Sequence, residues 1–232
     1  MPCIKIFGGL LHLCMHNMFI NELGIEIKET RYTYPVHRNS IFLARHIAEG
    51  GFKRVLEIGT GTGVIAVYLA KNGAQVTATD VYERVIGHAQ ENARLNSVRI
   101  QLVCSDLYTH VKGEYDCIVF LTPYFPFRSF STLAFLLEKS LPYFLETRIS
   151  YLLDRALLNG RFSKPRRMLI QKFLMKVPTY LSKDGSVFLS VFKSDIPFLK
   201  KFRFLRFKRI YLPFFSDIVV FKIQFPLNLP NV

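Results

Sequence analysis

Between residues 54 and 121 the chain alternates short apolar runs with segments of helical period. Arg54–Ile58, Gln75–Thr79, Val98–Cys104 and Tyr115–Leu121 read as four strands, the first running into a glycine turn. Between them, Val64–Asn72 is stopped by Gly73, and Tyr82–Asn96 carries Val85, Ile86, Ala89 and Ala93 on one side. Both read as helices. Strands alternating with helices of this length predict a parallel sheet with right-handed crossovers.

The flanks extend this plan. Phe19, Ile20, Leu23, Ile25 and Ile27 alternate loosely within 19–34 and predict a short hairpin. Ser40 reads as the N-cap of a helix with Ile41, Phe42, Leu43, Ile47 and Ala48 on one side, ended by Gly50-Gly51. The Leu- and Phe-rich stretch 127–160 suggests helices, placed in a lobe of about residues 127–165 inserted after the fourth strand. A helix over Arg166–Leu181, a turn at Lys183-Asp184-Gly185 and a fifth strand at Ser186–Phe192 follow. Phe207–Tyr211 and Ile218–Ile223, separated by a Pro213–Ser216 turn, predict an antiparallel pair at the sheet edge. The expected organisation is an N-terminal extension over 1–33 and one α/β domain over 34–232. The apolar run Ile6–Ile20 is interrupted by Gly8, Gly9, His12, His16 and Asn17, so neither a membrane span nor a signal peptide is expected. Met18 reads as a natural domain start, which makes residues 1–17 dispensable.

Charge adds a class of partner. The 232 residues carry a net +14, and from Arg128 to Arg209 there are 18 Lys/Arg against 5 Asp/Glu, so the excess lies in the second half. Such a balance suits nucleic acid, a ribonucleoprotein or an anionic surface, or is simply a solvated face. Lys200–Arg209 interleaves cations with phenylalanines. It fits either phosphate contact with base stacking or an edge element with its rings in the core. Arg161, Lys164, Arg166 and Arg167 form a second cluster beside the expected lobe, and the two together would frame an RNA or ribosomal substrate. Cys3, Cys14, Cys104 and Cys117 show no metal or disulfide spacing, and no metal site is expected. Cys104 and Cys117 fall in apolar runs and read as reduced core residues, consistent with a cytoplasmic setting.

The strongest chemical signal is Val55-Leu56-Glu57-Ile58-Gly59-Thr60-Gly61-Thr62-Gly63. A strand ends in a glycine turn that feeds a helix, where free N–H groups and a close backbone approach favour a ligand. The spacing is GxGxG rather than the GxGxxG of dinucleotide binders, because residue 64 is Val, and this disfavours a nicotinamide-dependent dehydrogenase. Glu57 stands two positions before the first glycine. Asp80 ends the second strand, where a carboxylate either accepts hydrogen bonds from two ribose hydroxyls or caps the next helix. Ser105-Asp106-Leu107 follows the third strand.

This pattern resembles class I S-adenosylmethionine (SAM)-dependent methyltransferases, a Rossmann-like fold with a seven-stranded, mostly parallel sheet and an antiparallel edge strand. The resemblance implies SAM as cofactor, held by Glu57, Gly59, Thr60, Gly61, Gly63, Asp80, Val81, Ser105, Asp106 and Leu107. Asp80 would take the ribose, Val81 would flank the adenine and Asp106 would meet the adenine amino group.

Leu121-Thr122-Pro123-Tyr124, at the end of the fourth strand, resembles the Asn-Pro-Pro-Tyr motif of amino-methyltransferases. There the Asn side chain and a proline carbonyl orient the target NH2, and the aromatic ring stacks on the acceptor. Pro123 and Tyr124 match, Leu121 takes the Asn position and Thr122 the first Pro. Leucine accepts no hydrogen bond. Three readings follow: Thr122 Oγ substitutes, the target is not an amide or base NH2, or the chain is an inactive SAM-binding interaction or RNA-binding module. Upstream, Tyr34-Pro35-Val36-His37-Arg38-Asn39-Ser40 resembles the segment preceding the glycine loop in HemK-type enzymes, which methylate a glutamine of translation release factors. There Tyr34 and Pro35 would lie against SAM. The implied acceptor is a protein side-chain amide of a translation factor, with an rRNA or tRNA base, or a ribosomal component, as the alternative.

Overall fold

The computed structural model describes residues 17–30, 33, 36–122, 163–212 and 218–226. Tyr34, Pro35, Pro123, Tyr124, the expected lobe up to residue 162 and the Pro213–Ser216 turn lie outside the described residues.

A small antiparallel sheet pairs β1 (Asn17–Ile20) with β2 (Ile25–Lys28). Helix α1 (Arg38–Glu49) follows, then β3 (Arg54–Ile58), α2 (Val64–Lys71), β4 (Gln75–Asp80), α3 (Glu83–Leu95), β5 (Gln101–Cys104) and β6 (Tyr115–Leu121). The second half contains α4 (Ser163–Tyr180), β7 (Leu181–Phe192), the short α5 (Ile196–Leu199), β8 (Arg206–Ile210) and β9 (Ile218–Gln224). The main sheet has seven strands in the order β5-β4-β3-β6-β7-β9-β8. The first five are parallel, and β9 runs against both β7 and β8. The expected Rossmann-like architecture is present.

Strict alternation divides the sheet between two cores. Val55, Cys117, Val119, Phe188 and Val220 face the layer containing α1, α2 and the hairpin. Leu56, Ile118, Phe120, Val187, Leu189 and Phe221 face α4, which buries Ile170, Phe173, Leu174 and Val177 along one stripe. Burial on both sides is why the inner strands are mostly apolar rather than alternating with polar residues. On the α4 side, rings stack from Tyr180 to Tyr108 (4.7 Å) and from Tyr108 to Phe173 (5.8 Å), and Phe173 meets Phe120 at a tilt (4.8 Å), joining α4 to the loop after β5.

The hairpin is attached by side-chain amides. Asn92 on α3 and Asn96, the C-cap of that helix, are one turn apart, and Glu26 and Lys28 are alternate residues of β2. The two spacings match at about 6 to 7 Å. Each Asn therefore takes the place of a neighbouring strand. The Glu26 N–H donates to Asn96 Oδ1 at 2.9 Å while Asn96 Nδ2 donates to Glu26 C=O at 2.6 Å. The Lys28 N–H donates to Asn92 Oδ1 at 2.8 Å while Asn92 Nδ2 donates to Lys28 C=O at 3.1 Å.

Several expectations are corrected. Helix α1 starts at Arg38, with His37 as N-cap; Ser40 is its third residue, accepting the His37 N–H (3.2 Å) and donating to His37 C=O (2.7 Å). Its buried face is Asn39, Ser40, Leu43, Ala44 and Ile47, with Ile41, Phe42 and Ala48 half-buried, because the helix starts earlier and is rotated from the expected stripe. On α3, His88 and Asn92 join the buried face and Ile86 is half-buried, since polar partners on β2 compensate the two side chains. Lys183-Asp184-Gly185 is an irregularity inside β7 rather than a turn before it, the pairing with β6 jumping from Tyr115–Leu181 to Cys117–Ser186. Cys104 is exposed on the edge strand β5, and of the two described cysteines Cys117 alone is in the core. Arg166 and Arg167 are not free cations beside a substrate. They bind the fully buried Asp195, through Nε–Oδ2 at 2.5 Å and Nε–Oδ1 at 2.8 Å, because a carboxylate out of water must be paired. β1 begins at Asn17, within the segment expected to be dispensable, and Asn17 Nδ2 donates to Glu26 Oε1 at 2.6 Å.

Asn92→Ala removes three bonds, leaving the Lys28 N–H and the Thr62 C=O without this partner while His88 still holds the Lys28 C=O at 2.7 Å. It is expected to cost about 1–3 kcal/mol in urea unfolding, more than Asn96→Ala. Equal stability of wild type and Asn92→Ala contradicts the amide ladder.

Candidate functional site

The parallel strands β3, β4, β5 and β6 deliver their C-terminal ends to one rim, where ligands of open α/β sheets bind. Gly59, Asp80, Ser105 and Leu121 each lie at or just beyond such an end. The rim thus gathers nearly all of the described residues singled out in the sequence.

The glycine turn is built on Glu57. Helix α2 starts at Val64 behind Gly63, which has no side chain to cap the free N–H groups of the first turn. Glu57 supplies the missing acceptor from the preceding strand: its Oε2 takes the Ala66 N–H at 3.1 Å and the Thr60 hydroxyl at 2.7 Å. The carboxyl is buried, and that burial pushes its pKa up to about 8; the Asp80 charge acts in the same direction, while the bonds from Thr60 and Ala66 oppose it. Glu57 therefore supports the loop from below. Gly63 has φ +79°, and a Cβ there would come within 3.3 Å of Ala89 Cβ, so helix α3 packs directly on the turn. Gly61 has φ +55° and a Cβ there would meet nothing within 4 Å, so the middle of the loop faces open space.

Asp80 reaches across from β4. Its Oδ2 accepts the Gly61 N–H at 3.2 Å and its Oδ1 the Tyr82 N–H at 3.2 Å. Burial raises its pKa, and these backbone bonds oppose the rise. The N-cap of α3 is Tyr82, so Asp80 caps from two residues upstream, as one of its two sequence readings expected. Its neighbour Val81 is exposed. The Asp80 carbonyl accepts the Ser105 N–H at 2.9 Å, and Thr60 N–H bonds Thr79 C=O at 2.8 Å, which locks the three strand ends in register. Beyond β5, Ser105 is buried, donating to Leu107 C=O (3.1 Å) and accepting the His110 N–H (3.0 Å). Asp106 is exposed, and Leu107 has φ +50°, a left-handed conformation that costs a non-glycine residue about 1–2 kcal/mol.

At the end of β6 the side chain of Leu121 packs against the α1-side core. Thr122 is buried and clasped by Ser190 of β7: the Thr122 N–H donates to Ser190 Oγ at 3.1 Å, and Thr122 Oγ1 donates to Ser190 C=O at 2.8 Å. The single hydroxyl hydrogen is thereby committed, and the remaining capacity of Oγ1 is to accept. Tyr34, Pro35, Pro123 and Tyr124 fall outside the described residues. Sequence reasoning missed Ser190, hidden in an apolar run, and Asn92, whose Nδ2 also donates to Thr62 C=O at 2.8 Å and so ties the hairpin to the glycine turn. The signal for Asn92 was a polar residue on the inner stripe of an otherwise apolar helix face.

The glycine turn is open at Gly61, Asp80 and Asp106 bring two carboxylates to the same rim, and the apolar Val81 is exposed between them in sequence, a donor set that suits a ligand with amino-acid, sugar and base parts. The model of the methyltransferase small domain family matches residues 35–134. A putative protein N5-glutamine methyltransferase of Methanocaldococcus jannaschii is 33% identical over 171 residues, 73% of this chain and 77% of that protein. A release factor glutamine methyltransferase of Streptococcus pneumoniae is 44% identical over 72 residues, 30% of this chain and 26% of that enzyme. Among solved structures, the Thermus thermophilus 16S rRNA N2 G1207 methyltransferase, in complex with AdoMet and guanosine, superposes with a TM-score of 0.58 at 17% identity. The match covers 92% of this chain and 50% of that one.

A buried carboxyl raised from 4.5 to about 8 stabilises the fold fully below 4.5, and this contribution is lost progressively as pH rises from 4.5 through 8. The melting temperature of the wild type is therefore expected to fall between about pH 5 and pH 8. Glu57→Gln, which keeps an acceptor oxygen and cannot ionise, should remove that part of the fall. An unchanged pH profile in Glu57→Gln contradicts the assignment.

Proposed function

The chain belongs to the HemK-like class I SAM-dependent methyltransferases, of the methyltransferase small domain family, and from that premise we propose that it methylates a side-chain amide nitrogen of a protein acting in translation. The observation that carries this reading is the Thr122–Ser190 clasp. It restores, one residue later, the hydrogen-bond acceptor missing at Leu121.

SAM, when bound, supplies an electrophilic methyl group on its sulfonium. The glycine turn, Asp80, Val81 and Asp106 hold and orient it, with Glu57 and Asn92 fixing the turn. Thr122 Oγ1, its own hydrogen engaged by the Ser190 carbonyl, accepts one N–H of the target amide. The resemblance assigns a further acceptor carbonyl and a stacking ring to Pro123 and Tyr124. Fixing the amide plane this way directs the nitrogen at the methyl carbon, and such orientation is the main catalytic contribution available without an ionising base. The substrate class rests on the glutamine-methylating relatives.

The test is transfer of radiolabelled methyl from SAM into a host-cell extract, followed by separate protease and nuclease digestion. Label released by protease is expected. Label released only by nuclease would reassign the acceptor to RNA, and SAM binding without transfer would make the chain an inactive binding module. Thr122→Val, which keeps shape and removes the acceptor, is expected to lower the transfer rate about 100-fold with SAM affinity unchanged, whereas Thr122→Ser retains most of the rate. Full activity in Thr122→Val refutes the proposed role.

A further inference from the structure

The basic excess of the second half is not used by the cofactor rim. Between Ile196 and Ser216 the sequence has six cations and no Asp or Glu. The structure places three of them, Arg206, Lys208 and Arg209, exposed on the edge strand β8. Lys208 is the direct antiparallel partner of Lys222 on β9, so two ammonium groups share one face. Lys222 is half-buried, its Nζ 6.0 Å from the centre of the Phe52 ring and 5.9 Å from that of Phe188. No carboxylate pairs with Arg206, Lys208, Arg209 or Lys222 among the described residues. Like charges directly opposite one another destabilise a sheet. Cations on an edge strand deter unwanted strand pairing, but that does not account for Lys222, which lies one strand in.

The rings beside these charges narrow the partner. Arg209 lies over the ring of Tyr211 at 5.2 Å, and Tyr211 is 77% exposed. Arg209 is the partner of Phe221 and so belongs to the α4 side of the sheet, whereas Arg206, Lys208 and Lys222 lie on the α1 side; a polynucleotide running along the β8 edge meets phosphate-binding cations on one side and a stacking ring on the other. An acidic peptide would use the charges and leave the ring idle. β8 is four strand steps from β3, about 19 Å across the sheet, so this surface is separate from the cofactor rim.

We propose that the exposed β8 edge, with Arg206, Lys208 and Lys222 on one side of the sheet and the Arg209–Tyr211 pair on the other, binds single-stranded RNA, gripping the polynucleotide that accompanies the methyl acceptor. The surface is defined independently of the acceptor. A chain that transfers no methyl is judged by the same measurement.

The probe is a fluorescent single-stranded uridine 20-mer, followed by anisotropy with the full chain over a salt series, with SAM binding measured by calorimetry on each variant. The wild type is expected to bind, more weakly as salt rises. Arg206→Ala/Lys208→Ala changes two exposed side chains. It should flatten the slope of log affinity against log salt by about 1.4, at about 0.7 for each phosphate no longer neutralised. Tyr211→Ala should weaken binding about 10-fold at constant slope, as expected when a base is deprived of its stacking ring. Both variants should bind SAM as the wild type does, which excludes misfolding as the cause. No binding by wild type, or unchanged affinity and slope in both variants, overturns the proposal. Equal competition by polyglutamate and by unlabelled RNA also overturns it, in favour of an acidic protein partner.

Discussion

One buried carboxyl sets the geometry of the rim. A helix that begins directly behind a glycine turn exposes N–H groups that glycine cannot cap, and Glu57 caps them from the strand behind. Because the same oxygen also holds Thr60, the turn cannot shift without breaking two bonds in a place where water cannot replace them. Fixing Thr60 fixes Gly61, and Gly61 meets Asp80. The ends of β3, β4 and β5 are then bound in sequence through Thr60–Thr79 and Ser105–Asp80. A neutral Glu57 is compatible with this role, since an undissociated carboxyl still accepts through its carbonyl oxygen.

Around that centre, polar side chains replace backbone wherever the fold changes layer. Asn92 and Asn96 imitate a strand for the hairpin, and Asn92 extends to the glycine turn, so the N-terminal segment and the cofactor loop share one residue. Ser190 performs the corresponding task between β6 and β7 and leaves Thr122 able only to accept. Asp195 draws in Arg166 and Arg167 and anchors the first turn of α4 beside the end of β7; Arg167 adds a bond to Ser194 C=O at 3.0 Å. These groups are satisfied polar atoms in poorly hydrated places, where an orphaned partner is costly.

The alternating plan, the glycine loop and the acid at the end of β4 were legible in the sequence because each has a local signature. Burial on both faces made β3 and β6 mostly apolar, apart from Arg54, Glu57 and Asp116, and the expected limits of both coincide with the observed ones. What escaped depends on pairs distant in the chain. Ser40 has the chemistry of an N-cap, but the helix starts two residues before it. Arg166 and Arg167 look like surface cations until Asp195, 28 residues beyond Arg167, is brought beneath them. Cys104 has an apolar neighbourhood in sequence, yet β5 is the outermost strand. Ser190 is one hydroxyl in an apolar strand, and its function appears only beside Thr122.

The central claim is that the turn at Gly61, the Asp80 carboxylate and the loop after β5 form a single SAM site. Titration of the isotopically labelled protein with SAM, followed by amide NMR, tests it most directly. The account predicts saturable shifts at Gly61, Tyr82, Asp106 and Leu107, with the amides of Arg206–Ile210 unmoved. No saturable shift at those four residues, or shifts confined to another part of the sheet, would contradict it.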